Sequence, residues 1–286
     1  MNFLNFWPFK KRNTEPKDDT PRKPSKKAIC VGINDYPGTS NDLQGCVNDA
    51  RDWAGLLKSL FKFEVLLITN AKATAKYVKE KLLEMILNSV SGDKLAFTYS
   101  GHGTTTPDSS GDEADGRDEA ICCYDGLITD DELREIISKL PEGVSLTIIS
   151  DSCHSGTITR AFLAKEAGNS KPGRKAPKPK FMPPPDIVGT RAIAPEGPVK
   201  KMLSSENMTE VLLTGCKPTE YSYDAYIGGK YSGALSATAI KIIKSNPNMT
   251  WNQVYAKIKR ELPSKKYPQT PQLEGNEQNL NKPLFS

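Results

Sequence analysis

Leu95-Ala96-Phe97-Thr98-Tyr99-Ser100-Gly101-His102-Gly103 is an apolar run of strand character that ends on a glycine-flanked histidine. A second run, Leu146-Thr147-Ile148-Ile149-Ser150, ends on Asp151-Ser152-Cys153-His154-Ser155-Gly156. Short apolar runs bounded by glycine and polar residues read as buried strands, and further ones fall at 28–33, 63–69 and 211–214. Helical periodicity lies between several of them, over 43–60, 74–90, 130–139, 233–244 and 251–262. In the second of these, Val78, Leu82, Met85, Ile86 and Val90 share one face. Strands alternating with helices predict an α/β chain with a mostly parallel central sheet of about six strands, covered by helices on both faces. Thr270-Pro271-Gln272-Leu273 fits an edge strand, and Phe97, Ile148, Ile149, Leu212 and Leu213 read as core.

In an open sheet of this kind, function gathers beyond the carboxyl ends of the strands. Both polar motifs sit at such ends. A free cysteine with a pKa of about 8.5 is only slightly ionised at neutral pH, so a nucleophilic Cys153 needs an imidazole beside it. The chain has two histidines. His154 adjoins Cys153, and neighbouring side chains on an extended backbone point to opposite faces, which leaves His102 as the base. Gly101 and Gly103 clear the space around His102, and Gly156 permits a sharp turn after the cysteine. The amides of Gly103 and Cys153 are therefore the expected donors to a substrate oxyanion. The alternative is a buried Cys153 acting as a small hydrophobe and a satisfied turn histidine at 102.

Together with Leu43-Gln44-Gly45-Cys46-Val47-Asn48-Asp49-Ala50, the S-G-H-G and D-S-C-H-S-G strings resemble the caspase-like cysteine peptidases, specifically the metacaspases. The likeness is strong over Lys27 to Arg160 and weaker over Val211 to Gly275. The Q-A-C-x-G string of caspases proper is absent, although the 51-residue step from His102 to Cys153 is close to the roughly 50 of that class. The resemblance implies a caspase-like three-layer fold and cleavage after arginine or lysine by a Cys153/His102 dyad. It also implies calcium activation and a monomer. A pocket for a guanidinium or ammonium must offer carboxylates. By similarity, Cys46, Asp49, Ser100 and Asp151 match the positions lining it. Asp49 also reads as a first-turn helix acid.

Asp112-Glu113-Ala114-Asp115-Gly116-Arg117-Asp118-Glu119 and the pair Asp130-Asp131 are dense in the hard oxygen ligands that calcium takes. The spacing is not that of an EF-hand. By resemblance, Asp118, Asp130 and Asp131 match calcium positions. The other reading is an exposed acidic loop followed by a helix start, with Thr129 and Glu132 as a capping box.

Residues 1–27 and 165–201 together hold 17 of the 39 basic and 6 of the 34 acidic side chains, leaving 22 basic against 28 acidic elsewhere. An acidic body argues against nucleic-acid binding, which needs a basic folded face, and agrees with basic peptide substrates. These shifts divide the chain into a basic N-terminal extension (1–26), a larger catalytic region (27–163), a Pro/Lys-rich linker (164–204) and a smaller region completing sheet and cleft (205–286). The linker composition reads as unfolded. In the resembling family such a region is self-processed, and Arg174, Lys175, Lys178, Lys180, Lys200 and Lys201 are chemically suitable; a spacer that is never cut is the alternative. Tyr221–Asp224 belongs to the smaller region, where Asp224 reads equally as pocket helper and as exposed loop carboxylate.

The six cysteines show no C-x-x-C spacing and no disulfide framework, which fits reduced thiols and a cytoplasmic setting; with two histidines, structural zinc is not expected. The aromatic start, Met1 to Phe9, is too short to span a membrane and carries its charges on the wrong side for a signal peptide. It reads as a short prodomain, a docking peptide or an interfacial anchor. A catalytically silent binding module is the competing function class.

Overall fold

A computed structural model describes residues 22–107, 117–153, 176–183 and 208–286. The apolar runs pair as one six-stranded sheet: β1 (Lys26–Gly32), β2 (Glu64–Thr69), β3 (Lys94–Ser100), β7 (Ser145–Asp151), β9 (Glu210–Thr214) and β12 (Gln272–Glu274). Their order is β12-β9-β7-β3-β1-β2, and every pairing is parallel except β12 with β9. The expected edge strand is thus present.

Strand alternation divides the core in two. Ala28, Cys30, Ala96, Ile149 and Leu213 face α1 (Cys46–Phe61), α4 (Ala234–Ser245) and α5 (Trp251–Glu261), and Trp53, Leu57, Ile243 and Trp251 bury against them. Ile29, Val31, Phe97, Ile148 and Leu212 face α2 (Ala75–Leu87) and α3 (Asp130–Ile137), meeting Val78, Leu82 and Met85. Period-2 strands between period-3.6 helices make this three-layer packing. The Thr129–Glu132 capping box is formed at α3, and Thr250 with Gln253 makes another at α5.

Two small sheets were not foreseen. One joins β4 (Gly103–Pro107), β5 (Arg117–Cys122) and β6 (Leu127–Thr129). The other joins β11 (Lys230–Gly233), β10 (Tyr223–Ile227) and β8 (Lys178–Pro179). Gly228 and Gly229, both at positive φ, close the β10–β11 hairpin, and a Gly-Gly pair is the available signal for such a turn. Among the described residues, no helix is long and apolar enough to cross a membrane.

Candidate active site

The register of the main sheet sets Ser100 opposite Asp151 and Gly32 opposite Ser100. The chain segments leaving β3 and β7 therefore emerge side by side, carrying His102 and Cys153 to one edge. Their contact is close: a Cβ on Gly103 would fall 1.6 Å from the Cys153 carbonyl oxygen, so only glycine fits.

His102 is buried, and its position is set mainly by backbone. Its amide donates to the Tyr36 hydroxyl (2.8 Å), while the Tyr99 hydroxyl lies 2.6 Å from its carbonyl. The ring Nε2 is 2.6 Å from the Asn41 carbonyl. A carbonyl can only accept, so Nε2 carries the proton and Nδ1 is left as the bare nitrogen. Nδ1 has no hydrogen-bond partner among the described residues. Burial pushes the imidazole down to about 4, opposed by the backbone carbonyls of Asn41 and Lys180 and reinforced by the charges of Lys178 and Lys180.

Cys153 is buried, and its Sγ accepts from the Ser222 amide (2.9 Å). The sulfur and imidazole are not hydrogen-bonded to one another. What links their two strand ends is the carbonyl of Lys180, whose oxygen accepts from the Gly103 amide (2.9 Å) and lies 3.4 Å from the Cys153 amide. These are the two donors expected of an oxyanion site.

Lys180 belongs to the segment read as an unfolded linker, and residues 176–183 of that segment run through the cleft as an extended strand. Lys178 and Pro179 pair antiparallel with Asp224 and Tyr223, and the Lys180 amide donates to the Ser222 carbonyl (2.9 Å). Backbone pairing supplies what the Lys/Pro composition could not supply by apolar burial. The Lys178 ammonium is held by the carbonyls of Ser40 (3.1 Å) and Asp42 (2.5 Å).

The Lys180 side chain enters a pocket and is wholly inaccessible to solvent. Its Nζ lies 3.1 Å from Asp151 Oδ1, 3.4 Å from Asp49 Oδ2 and 2.9 Å from Ser100 Oγ, and it donates to the Asp151 carbonyl at 3.1 Å. Burial alone would strip its charge, but Asp151, Cys46, Asp49 and Asp224 outweigh it and hold the ammonium well above the ordinary lysine range. Burial pushes Asp49 up, Lys180 opposes, and Asp151 adds to the rise. Burial likewise pushes the Cys46 thiol well up.

The two carboxylates are held by residues far away in sequence. Asp49, in the first turn of α1, accepts from Ser100 Oγ (2.7 Å), Ser232 Oγ and the Gly233 amide. Asp151 accepts from Ser222 Oγ (2.6 Å) and the Ser236 amide (2.9 Å). Gly233 is the N-cap of α4 and has no side chain to cap it. The helix instead meets these two anions with its first amides, satisfying donors that every helix start leaves open. A Cβ on Gly233 would come within 2.1 Å of Asp151 Oδ2 and 2.3 Å of Lys180 Nζ.

All four pocket residues expected from the sequence, Cys46, Asp49, Ser100 and Asp151, surround this one ammonium. Sequence reasoning missed Asn41 and Ser236; it set Ser222, Ser232 and Gly233 in the region that builds part of the cleft but gave them no role, since backbone and short hydroxyl contacts leave no pattern in one sequence. Asp224 is a correction to the reading as an exposed loop carboxylate. It is 3% exposed, and its Oδ2 accepts from the amides of Gln44 (2.6 Å) and Gly45 (3.1 Å).

The acidic residues matched to calcium are arranged differently. Asp118 is buried on β5, and Asp130 and Asp131 begin α3. Arg134 pairs with Asp130 Oδ2 (2.8 Å) and with Asp131 Oδ1. Asp130 Oδ1 is buried with no hydrogen-bond partner among the described residues. Burial, then Asp131 and Asp118, push the Asp130 carboxyl up against the pull of Arg134. Among the described residues, no three acidic, histidine or cysteine side chains form a ready metal cluster. An orphaned carboxylate oxygen beside two further carboxylates nonetheless fits a hard cation. Asp112–Gly116, His154, Arg174, Lys175, Lys200 and Lys201 lie outside the described residues.

The family described as "Metacaspase, peptidase C14 domain" matches residues 26–161. A metacaspase-1A of Aspergillus fumigatus is 33% identical over 87% of this chain and 68% of its own length. Metacaspase-1 of Coccidioides immitis is 32% identical over 87% of this chain and 61% of its own, so the chain spans about three fifths of that relative. A solved protein of Geobacter sulfurreducens superposes with a TM-score of 0.69 at 24% identity, covering 92% of this chain and 99% of its own. Caspase-1 of Spodoptera frugiperda does so with a TM-score of 0.55 at 12% identity, covering 94% and 93%. The likeness to the Spodoptera caspase establishes the caspase-like fold.

Proposed function

The chain belongs to the metacaspase family, and from that premise we propose that it is a cysteine endopeptidase that cleaves after lysine or arginine and processes its own linker at Lys180. One observation carries the reading. The Lys180 carbonyl rests between the Gly103 and Cys153 amides while its side chain fills a pocket with two buried carboxylates. A lysine there is bound as a substrate residue before the scissile bond would be. It also blocks the pocket, so the uncut chain is a latent form.

The chemistry follows from the placement. Cys153 Sγ adds to the Lys180 carbonyl carbon, and the resulting oxyanion is met by amides already aimed at it. His102 Nδ1 takes the thiol proton. It delivers that proton to the Phe181 nitrogen as the C–N bond breaks. A water molecule, deprotonated by the same imidazole, then adds to the thioester carbon, and the proton passes from the imidazole to the departing Cys153 sulfur as the Lys180 carboxylate is freed. The Asn41 carbonyl holds a proton on Nε2, so Nδ1 is the nitrogen that takes and gives the proton in each step.

Asp118, Asp130 and Asp131 are the residues that would hold calcium, whose charge would tie β5 to the start of α3. Arg134 would have to yield Asp130 and Asp131. The six cysteines, all unpaired, support a reducing, cytoplasmic setting for a monomer acting on peptides or proteins with basic cleavage sites.

The test is cleavage of matched peptides bearing arginine, lysine, aspartate or asparagine before the scissile bond, with calcium and with chelator. Cleavage after the two basic residues, faster with calcium and absent in Cys153→Ala, is expected. Cleavage after aspartate, or equal cleavage by Cys153→Ala, contradicts the reading.

A further inference from the structure

The chain beyond the Lys180 carbonyl stays in the cleft. Phe181 forms a bridge with Gly103, and the Met182 amide donates to the Gly103 carbonyl (3.0 Å). Gly103 thus grips the strand on both sides of the peptide bond that follows Lys180. Phe181 is only 8% exposed. Its ring centroid lies 6.0 Å from that of Tyr221, at an interplanar angle of 56°. Phe181, Tyr221, Tyr223 and Cys153 form an apolar cluster of their own, separate from both layers of the core, with Tyr267 packed at its margin.

This cluster is a built feature. Tyr223 is fixed by its amide, which donates to Gln269 Oε1 (3.1 Å), and Gln269 Nε2 donates to the Gly215 carbonyl (2.7 Å). Gln269 is itself fully buried. The aromatic surface thereby stands at a set distance from the sulfur. A tilted aromatic pair contributes beyond the area it buries. A carboxylate in the same place would be stripped of water among aromatic rings.

We propose that Tyr221, Tyr223 and Tyr267 form a subsite for the leaving side of the substrate, selecting an aromatic residue immediately after the scissile bond. The inference rests on the peptidase reading above and narrows its substrate class to bonds between a basic and an aromatic residue. Because the amine departs when the thioester forms, the subsite acts on acylation and has no hold on the hydrolysis that follows.

Peptides sharing Lys-Pro-Lys before the bond and carrying Phe, Leu, Gly or Asp after it, mixed in equal amounts with the full chain after its own cleavage in calcium, test this by mass spectrometry. Phe is expected to exceed Gly in kcat/KM by about tenfold, a factor that corresponds to about 1.4 kcal/mol, with Asp slowest. Tyr221→Ala should bring the Phe-to-Gly ratio close to one, and Tyr221→Phe should keep it. Equal rates for all four peptides, with cleavage after lysine retained, overturn the subsite and leave the peptidase reading intact. No cleavage of any peptide overturns both.

Discussion

Two groups of aspartates meet their cations in opposite ways. Asp49 and Asp151 are wholly buried, and their partners come from residues 100, 222, 232, 233 and 236, brought together only by the fold. Asp130 and Asp131 share one arginine of their own helix, three and four residues on, and remain partly exposed. Local helix pairs of that kind contribute a few tenths of a kcal/mol. A buried ammonium between two hydrogen-bonded carboxylates is a different object: removing one partner leaves an uncompensated charge and costs about 3–5 kcal/mol. The difference teaches that a wholly buried carboxylate needs partners gathered by the fold, while one at a helix start is served by its own helix. The first group closes around the Lys180 ammonium, whereas the second pairs with Arg134 and leaves a buried Asp130 oxygen without a hydrogen-bond partner among the described residues.

The strongest way to break this contrast is to remove a carboxylate from the first group. Asp49→Ala or Asp151→Ala should lower kcat/KM on a lysyl or arginyl peptide by at least a hundredfold, measured with purified chain. The same variants should also unfold at lower temperature than the wild type, because the seated Lys180 loses its counter-charge. A variant with wild-type kinetics would show that the pocket is not the receptor.

Charge reversal of the guest is next. Lys180→Asp should abolish the cut after residue 180, while Lys180→Arg should retain it within about tenfold, since a guanidinium can also pair with two carboxylates. Gel analysis of the accumulated fragments reads both.

Burial depresses His102, and the charges of Lys178 and of the pocket's Lys180 add to it, which sharpens the comparison by a titration. In uncut Cys153→Ala, His102 should titrate near 4; with Lys178 and Lys180 replaced by alanine, the pKa should move toward the ordinary 6.5, as followed by NMR of the two histidines. The sign for stability follows from linkage. A histidine held at about 4 when folded and about 6.5 when unfolded binds more protons unfolded between those values. Its contribution of about 3 kcal/mol is therefore complete above pH 6.5 and is lost as the pH falls toward 4. Unfolding curves across that window should show Tm falling with acidity in the uncut form.

The smallest effect is expected at the second group. Arg134→Ala should tighten calcium binding several-fold by freeing Asp130 and Asp131, read by calorimetry. Weaker binding would mean that Arg134 organises the cation site instead of occupying it.

Much of this was legible in the sequence for a physical reason. The main strands announce themselves as apolar runs, and parallel pairing in register forces the ends at Ser100 and Asp151 to lie together, so His102, Cys153 and Asp151 could be grouped without coordinates. Asp49 was legible through its motif. Ser222, Ser232, Ser236 and Asn41 were not, because a hydroxyl or carbonyl that orients a charged partner imposes no period and no composition. The strand at Lys178–Pro179 was hidden for a related cause. Its order comes from backbone bonds to β10 and from one buried ammonium, while its composition is that of a solvated chain.

The central claim is that this cleft holds its own scissile bond. Intact-mass measurement and N-terminal sequencing of the wild-type chain beside Cys153→Ala, incubated with calcium, test it most directly. A new N-terminus beginning at Phe181, present in the wild type and absent from Cys153→Ala, is the predicted result. A wild-type chain that stays whole while cleaving added lysyl peptides, or one cut only elsewhere, would contradict it.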